Sequence, residues 1–421
     1  MSAEDTEVEP DVGEPTSTAV PLTEPRDGVP APLTDPAELA RAVEVLAAGT
    51  GPVAVDAERA SGYRYGQAAY LVQLRRADLG TVLIDPRALP DLESLGTAIG
   101  GDEWVLHAAS QDLPCLAELG MRPARIFDTE LAGRLLGYPR VGLGAIVEEV
   151  LGLSLEKGHS AADWSTRPLP EPWLRYAALD VEVLVELRDA LAAQLDEQGK
   201  RAWAEEEFAA IVAAAPAPPR VEPWRRTSGL HRVRKRRQLA VVRALWERRD
   251  EVARRRDIAP GRVLPDSAIV AAALAAPRTE EELVALPVWG GRSMRRQTAT
   301  WLPAITAALA VPESDLPDPK TPHEGPPPAR SWPERDPAAA ARLAAARAAV
   351  GAVAADLRLP VENLIAPDSV RRLCWDPPTE LDEAVVGEFL REHGARRWQV
   401  ELTAAVLVDA LTRAAELPPG G

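Results

Sequence analysis

Cysteine is nearly absent: the 421 residues contain two, Cys115 and Cys374, too few for a disulfide framework or a Cys-type zinc site. Long apolar runs are missing as well, and none reaches the ~18–20 uninterrupted residues of a membrane helix. The opening MSAEDTEVEP lacks the basic start and apolar stretch of a secretory leader, so a cytoplasmic protein is expected. No Gly-x-x-x-x-Gly-Lys-Ser/Thr loop occurs, which sets aside helicases and other P-loop enzymes. Lysine is rare too, since all but four of the 48 basic residues are arginine. What remains is 46% hydrophobic and 27% charged, a composition for globular domains. At roughly 150 residues per domain there is room for about two to four of them.

Positive charge is in deficit overall, with 64 acids giving a net charge of −16, but the deficit is uneven. Residues 1–30 hold eight acids and one base, and residues 31–213 hold 29 acids and 16 bases. Residues 214–311 reverse the sign, with 19 bases against nine acids and a local charge of +10. Residues 312–421 return to 12 bases and 18 acids. One basic module between acidic ones points to a polyanionic partner more than the total does.

Residues 1–30 are rich in Glu, Pro, Thr and Asp without an apolar period and read as a disordered acidic tail. Order is expected from Leu33, where Asp35-Pro36 opens a helix ending near Gly49. Val53–Asp56, Tyr70–Leu74 and Thr81–Asp85 read as three strands joined by short turns. Strands at Trp104–His107 and Arg125–Phe127 then alternate with helices near 91–99, 111–119, 129–136, 142–151 and 171–197. Strands first and alternation afterwards predict a mixed sheet covered by helices. Pro216-Ala217-Pro218-Pro219 and the proline-rich 312–333 mark linkers. Two helical segments of about 80 residues follow them, and Ile258-Ala259-Pro260 with Val263-Leu264-Pro265-Asp266-Ser267 recurs as Arg358-Leu359-Pro360 with Leu364-Ile365-Ala366-Pro367-Asp368-Ser369.

Three places carry candidate chemistry. Asp56 and Glu58 are two apart at the end of the first of these strands, so both carboxylates leave the same face, and two adjacent like charges call for a cation. Asp112 follows the strand–helix junction in Leu106-His107-Ala108-Ala109-Ser110-Gln111-Asp112, at the edge where α/β sites form, although alone it also reads as a first-turn acid. Asp128 reads as a helix cap. Tyr176 and Asp180 lie one helical turn apart on a face that continues as Leu184, Leu187 and Leu191. A carboxylate on such a surface needs a partner, commonly a metal.

Asp-x-Glu, a later Asp and Tyr-x-x-x-Asp in this order resemble the tyrosine branch of the DEDD exonuclease superfamily. The words Leu106–Leu113, Phe127-Asp128-Thr129 and Asp163-Trp164-Ser165-Thr166-Arg167-Pro168-Leu169 are similar to those of the ribonuclease D family. The two helical repeats resemble the HRDC domains that follow the nuclease there. One departure is Ala57, where the family commonly has Thr; its side chain points away from the carboxylate face. The resemblance implies an α/β nuclease domain at 31–213, a ribonuclease H-like mixed sheet with flanking helices. It further implies a linker at 214–227, a basic HRDC-like domain at 228–311, a Pro-rich linker at 312–334 and a second HRDC-like domain at 335–421.

The same resemblance implies two divalent cations, Mg²⁺ or Mn²⁺, and a metal-dependent 3′–5′ exoribonuclease releasing nucleoside 5′-monophosphates, with tRNA precursors as substrates. Asp56 would bridge both ions, Glu58 and Asp180 would hold the nucleophile-side ion, Asp112 the other, and Tyr176 would orient the attacking water. The family also implies a monomer. A DNA exonuclease and a non-catalytic RNA-binding protein with a vestigial nuclease remain as alternatives. Lys157, His159 and Arg167, in the loop before the Tyr176 helix, are candidate phosphate contacts. In the basic module Arg232, Arg234, Lys235, Arg236 and Arg243 are candidates for RNA-backbone contact, which positions RNA without reading its sequence.

Overall fold

The computed structural model describes residues 19–416 except 78, 157, 160, 217 and 320–324. Its first 213 residues build strands β1 (Val20–Leu22), β2 (Val53–Arg59), β3 (Ala69–Arg76), β4 (Gly80–Ile84), β5 (Glu103–Leu106), β6 (Arg125–Asp128) and β7 (Leu153–Leu155). Five of these form a mixed sheet in the order β4-β3-β2-β5-β6. The first three strands are antiparallel neighbours joined by short connections, whereas β5 and β6 run parallel to β2. β2 is thus central, and its Val53 and Val55 are fully buried in the main core with Trp104 and Leu106.

Eight helices cover this sheet: α1 (Pro36–Ala48), α2 (Glu93–Ile99), α3 (Leu113–Glu118), α4 (Thr129–Leu136), α5 (Leu143–Leu151), α6 (Glu171–Glu182), α7 (Leu184–Glu197) and α8 (Arg201–Ala213). As the sequence suggests, Asp35 caps α1, its carboxylate accepting from Ala37 N at 2.9 Å. The single helix expected over 171–197 is instead two, meeting at Val183. The break lets α6 lie across β2, β3 and β4 while α7 packs against α4 and α5. Asp180 and Leu184 therefore reach the sheet at the Ala54–Asp56 face, whereas Leu187 and Leu191 are buried in the main core.

The expected tail 1–30 is also corrected at its end. β1 pairs in parallel with β7, Val20 opposite Leu153 and Leu22 opposite Leu155. Arg26 pairs with Glu186 and lies 3.6 Å from Glu182, and Asp27 accepts from Arg75 at 2.8 Å. The acids and bases that looked like a solvated tail are the groups that fasten residues 20–27 to α6, α7 and β3. Residues 1–18 lie outside the described residues.

Two helical modules follow. The first contains α9 (Arg236–Arg256), α10 (Pro260–Val263), α11 (Asp266–Ala275), α12 (Glu280–Val284), α13 (Arg292–Arg295) and α14 (Thr298–Ala310). The second contains α15 (Trp332–Arg335), α16 (Pro337–Asp356), α17 (Val361–Leu364), α18 (Pro367–Trp375), α19 (Glu383–Glu392) and α20 (Arg397–Glu416). Both run from a long helix through a one-turn helix to a long closing helix. In each, a proline opens the one-turn segment, by Pro260 inside α10 and by Pro360 just before α17. By length and composition α16 could cross a membrane, but its Leu343, Ala346, Val350 and Ala354 are buried in a protein core with α18 and α20.

Candidate active site

Asp56 and Glu58 leave β2 on the face that α6 covers, and Asp180 of α6 meets them there. Each of these three carboxylates offers an oxygen lying within 4.8 Å of the others. The face is set by neighbours: Ala54, two residues before Asp56, packs with Val105, Val181 and Leu184. Strict alternation would send Arg59 to the opposite face from Glu58. The β2–β3 register shifts between Glu58 and Arg59, and this irregularity brings Arg59 to the cavity, 3.5 Å from an Asp112 oxygen.

Asp112 is buried at the start of α3 and lines the same cavity of about 550 Å³ as Asp56, Glu58, Tyr176 and Asp180. The segment that presents it is held by Asp128. That carboxylate caps α4 through Glu130 N and Leu131 N, and also accepts from Ala108 N at 3.1 Å and Ala109 N at 2.9 Å. Capping explains half of its role; the other half is fixing the left-handed turn at Ala108, φ 61°, that leads to Asp112. His107 also lines the cavity. The Thr129 hydroxyl donates to Leu106 O, so it accepts the proton of His107 Nδ1 at 2.9 Å, and burial lowers the imidazole to about 4. It is a neutral, hydrogen-bonded residue at pH 7.

Tyr176 and Asp180 occupy successive turns of α6 and line the same cavity, so that the Tyr176 phenol lies beside the Asp180 carboxylate. Trp164 is fully buried, its ring centroid 6.4 Å from that of Tyr176 and 5.5 Å from that of Trp173. The loop carrying Trp164 is fastened by Arg167. Its guanidinium donates to both Asp85 oxygens at 2.6 and 2.8 Å, to Trp164 O, to Thr166 O and to Tyr70 O. Five donors make five bonds, so the phosphate contact expected of Arg167 is corrected to a structural clamp. Burial pushes Asp85 up, but Arg167 and the N–H groups of Arg87 and Ala88 outweigh it and leave the carboxyl below its ordinary range.

The electrostatics are those of negative charge confined together. Burial pushes all four acids up, with neighbouring carboxylates adding to it for Glu58, Asp112 and Asp180. Asp112 reaches about 8 even with Arg59 opposing. Burial and the carboxylates of Asp180 and Glu58 also raise the Tyr176 phenol, so it stays a proton donor. Four acids with one arginine among them are a poor neutral arrangement and a good donor set for hard divalent cations. The site fits divalent metal, with Asp56, Glu58 and Asp180 as the clustered ligands.

The sequence brings five residues to one cavity, and none of the remaining candidates among the described residues lines it. Lys157 is outside the described residues. His159 packs edge-on at 6.0 Å from the Tyr176 ring. Arg236 is engaged by Leu316 O, Pro317 O and Glu313, so an RNA contact there is corrected to a tie between α9 and the following linker. Arg232, Arg234 and Lys235 are exposed and Arg243 half-buried, and none lines the cavity. Sequence reasoning passed over Arg59 and Gln73. Gln73 of β3 stands opposite Asp56 and is fully buried. The signal for Gln73 was available: it is the polar member of an otherwise apolar Tyr70-Leu71-Val72-Gln73-Leu74.

Residues 30–196 match the model of a 3′-5′ exonuclease family, 238–305 that of the HRDC domain and 325–411 that of a 3′ to 5′ exonuclease C-terminal domain. Of the two HRDC domains expected, the first module matches the HRDC model, whereas the second matches a different one. A crystal structure of a protein from Bifidobacterium adolescentis is similar at 41% identity and a TM-score of 0.86, covering 94% of this chain and 100% of that one. Escherichia coli RNase D, described as an exoribonuclease involved in structured RNA processing, is similar at 27% identity and a TM-score of 0.65, over 90% of this chain and 98% of that one. Ribonuclease D of Acidiphilium cryptum is 34% identical over 291 residues, 66% of this chain and 72% of that protein. With the acidic cavity, these similarities lead to one conclusion: the chain belongs to the ribonuclease D family of 3′–5′ exoribonucleases.

Proposed function

We propose that this exoribonuclease trims structured RNA, tRNA precursors in particular, from the 3′ end one nucleoside 5′-monophosphate at a time, as a monomer using two divalent cations, Mg²⁺ or Mn²⁺. The observation that carries the reading is the grouping of Asp56, Glu58 and Asp180 oxygens within 4.8 Å in a cavity that Tyr176 also lines. Asp56, Glu58 and Asp180 would hold one cation and Asp56 with Asp112 the other. Bound there, the cations would supply an acidified water and neutralise the charge that develops on the scissile phosphate.

The chain's own residues do the rest. Tyr176 keeps its proton, because burial and the Asp180 carboxylate beside it raise the phenol, and its hydroxyl orients a water rather than removing a proton from it. Arg59 reaches Asp112 in the cavity and supplies positive charge where a phosphate would enter. The first module carries exposed Arg232, Arg234 and Lys235, which suit the backbone of an RNA that extends away from the cavity. The second module, with the same helix order, is HRDC-like and serves to brace the nuclease.

Incubation with a 3′-extended tRNA precursor tests this: wild type releases mononucleotides, Asp56→Asn and Asp180→Asn release none, and Tyr176→Phe is slowed about 10²-fold. Equal degradation of DNA of the same sequence would redirect the reading to a DNA exonuclease. Undiminished activity in excess EDTA would overturn the metal assignment.

A further inference from the structure

Gln73 is fully buried, and neither its Nε2 nor its Oε1 has a hydrogen-bond partner among the described residues. A buried amide open at both ends destabilises a fold, and such groups persist where something other than stability is gained. Register says where that gain lies. Gln73 stands opposite Asp56 on β2 and opposite Leu83 on β4. Side chains opposed in an antiparallel pair leave the same face, with Cβ atoms about 4.5–5.5 Å apart. One cross-strand neighbour of the amide is therefore a fully buried leucine, and the other is the carboxylate at the centre of the acidic cluster. Leu71 and Arg75, two residues either side on β3, line the same face. Leu71 packs with Ala177 of α6, and Arg75 lies 3.1 Å from Glu182 of α6, so Gln73 lies beneath the helix that carries Asp180.

Carboxylates that bind metals are themselves held by hydrogen bonds, which fix the oxygens that face the ion. Asp56 is relieved by the backbone at Ala57 and by the charge of Arg59, and a side-chain donor from β3 is not engaged. We propose that Gln73 is a positioning residue for metal binding: its amide N–H donates to the Asp56 carboxylate when divalent cations occupy the site, and so fixes the orientation in which Asp56 binds them. The inference rests on the divalent-cation reading above. It gives the buried, unpaired amide of Gln73 a partner in the acid it stands opposite.

The experiment compares full-length wild type with Gln73→Met, which keeps the length of the side chain and removes its polar atoms. Two readouts are expected to move in opposite senses. The metal-free Tm stays level or rises, because an unsatisfied buried amide is removed. The Mn²⁺ affinity measured by calorimetry falls about 10-fold or more. An unchanged Mn²⁺ affinity overturns the proposal, as does a lowered metal-free Tm with affinity intact, which would make the amide a packing or water-holding group. Should Gln73→Met fail to accumulate, Gln73→Leu is measured in the same way. If wild type itself takes up no Mn²⁺, the cation reading fails and this inference with it; if wild type and variant bind alike, only this inference fails.

Discussion

The two helical modules share an order of helices and differ in how they meet the nuclease. The second shares its core: Trp398 is buried and stacks on Trp203 of α8 at 5.0 Å, and its indole N–H reaches Glu207 at 3.1 Å. Lys200 Nζ donates both to Leu135 O of the nuclease and to Leu357 O of the module. The first module keeps a core of its own around Trp224, Leu245, Trp289 and Trp301. It touches the β2–β3 loop largely through polar groups: Ala259 N donates to Tyr63 O, Tyr65 OH to Asp250 and Arg262 to Gly62 O. One module is thus continuous with the enzyme's interior, and the other is clasped to it beside the strand that carries Asp56 and Glu58. Apolar continuity confers stability, whereas polar contacts at a surface fix an orientation and weaken with salt.

The sharpest way to break this contrast is Trp398→Ala. Loss of a buried, stacked indole is expected to cost about 3–5 kcal/mol and to lower one calorimetric transition containing both the nuclease and the second module. Separate melting of those two parts would refute the shared core. Mn²⁺ comes next. At about 100 times its Kd it should stabilise that same transition by about 2.7 kcal/mol and leave the transition of the first module in place.

The size of the Mn²⁺ effect should depend on pH. Burial and Asp56 raise Asp112 from 3.8 to about 8, so the folded, metal-free protein retains a proton that the unfolded chain has lost. Its stability therefore falls as pH rises from about 4 to about 8. His107 acts oppositely: lowered by burial to about 4, it costs stability as pH falls below 6.5. Between pH 6.5 and 8 only the carboxylate effect remains of these two, and the Mn²⁺-induced rise in Tm should grow across that window.

Gly137→Ala probes the seam directly. Gly137 has φ +87°, and a Cβ there would lie 2.4 Å from the Arg358 carbonyl oxygen of the second module. The expected cost is about 1–3 kcal/mol. The smallest effect should come from Arg262→Ala, which removes the bond to Gly62 O and the guanidinium 4.0 Å above the Tyr63 ring. Stability should change by less than about 1 kcal/mol, while hydrogen exchange in residues 60–66 accelerates. A large loss of global stability would place the first module with the second.

The part of this molecule legible in the sequence is the part encoded locally. Asp56 with Glu58 and Tyr176 with Asp180 follow from strand and helix periods, and Asp112 from a strand–helix junction. What escaped depends on partners distant in the chain or on broken periodicity. Arg167 looked free because Asp85 and Tyr70 are 82 and 97 residues away. Arg59 was passed over because regular strand alternation offers no reason for it to join Asp56 and Glu58, and alternation fails at the β2 irregularity. Arg236 is captured by a linker about 80 residues later. The helix over 171–197 was drawn unbroken because its apolar stripe continues across Val183, and the turn there is a demand of the sheet beneath it.

The strap of residues 20–27 carries a practical lesson about trimming the protein. β7, the partner of β1, ends at Leu155, and Leu155, Glu156 and Gly158 are wall residues of the catalytic cavity. A shortened chain beginning at residue 31 would retain every acid of the site. It would nonetheless expose the edge of β7 and leave Glu182 and Glu186 without Arg26. One wall of the cavity is in this sense stitched from the N-terminus, and a domain boundary drawn from charge alone would cut the thread.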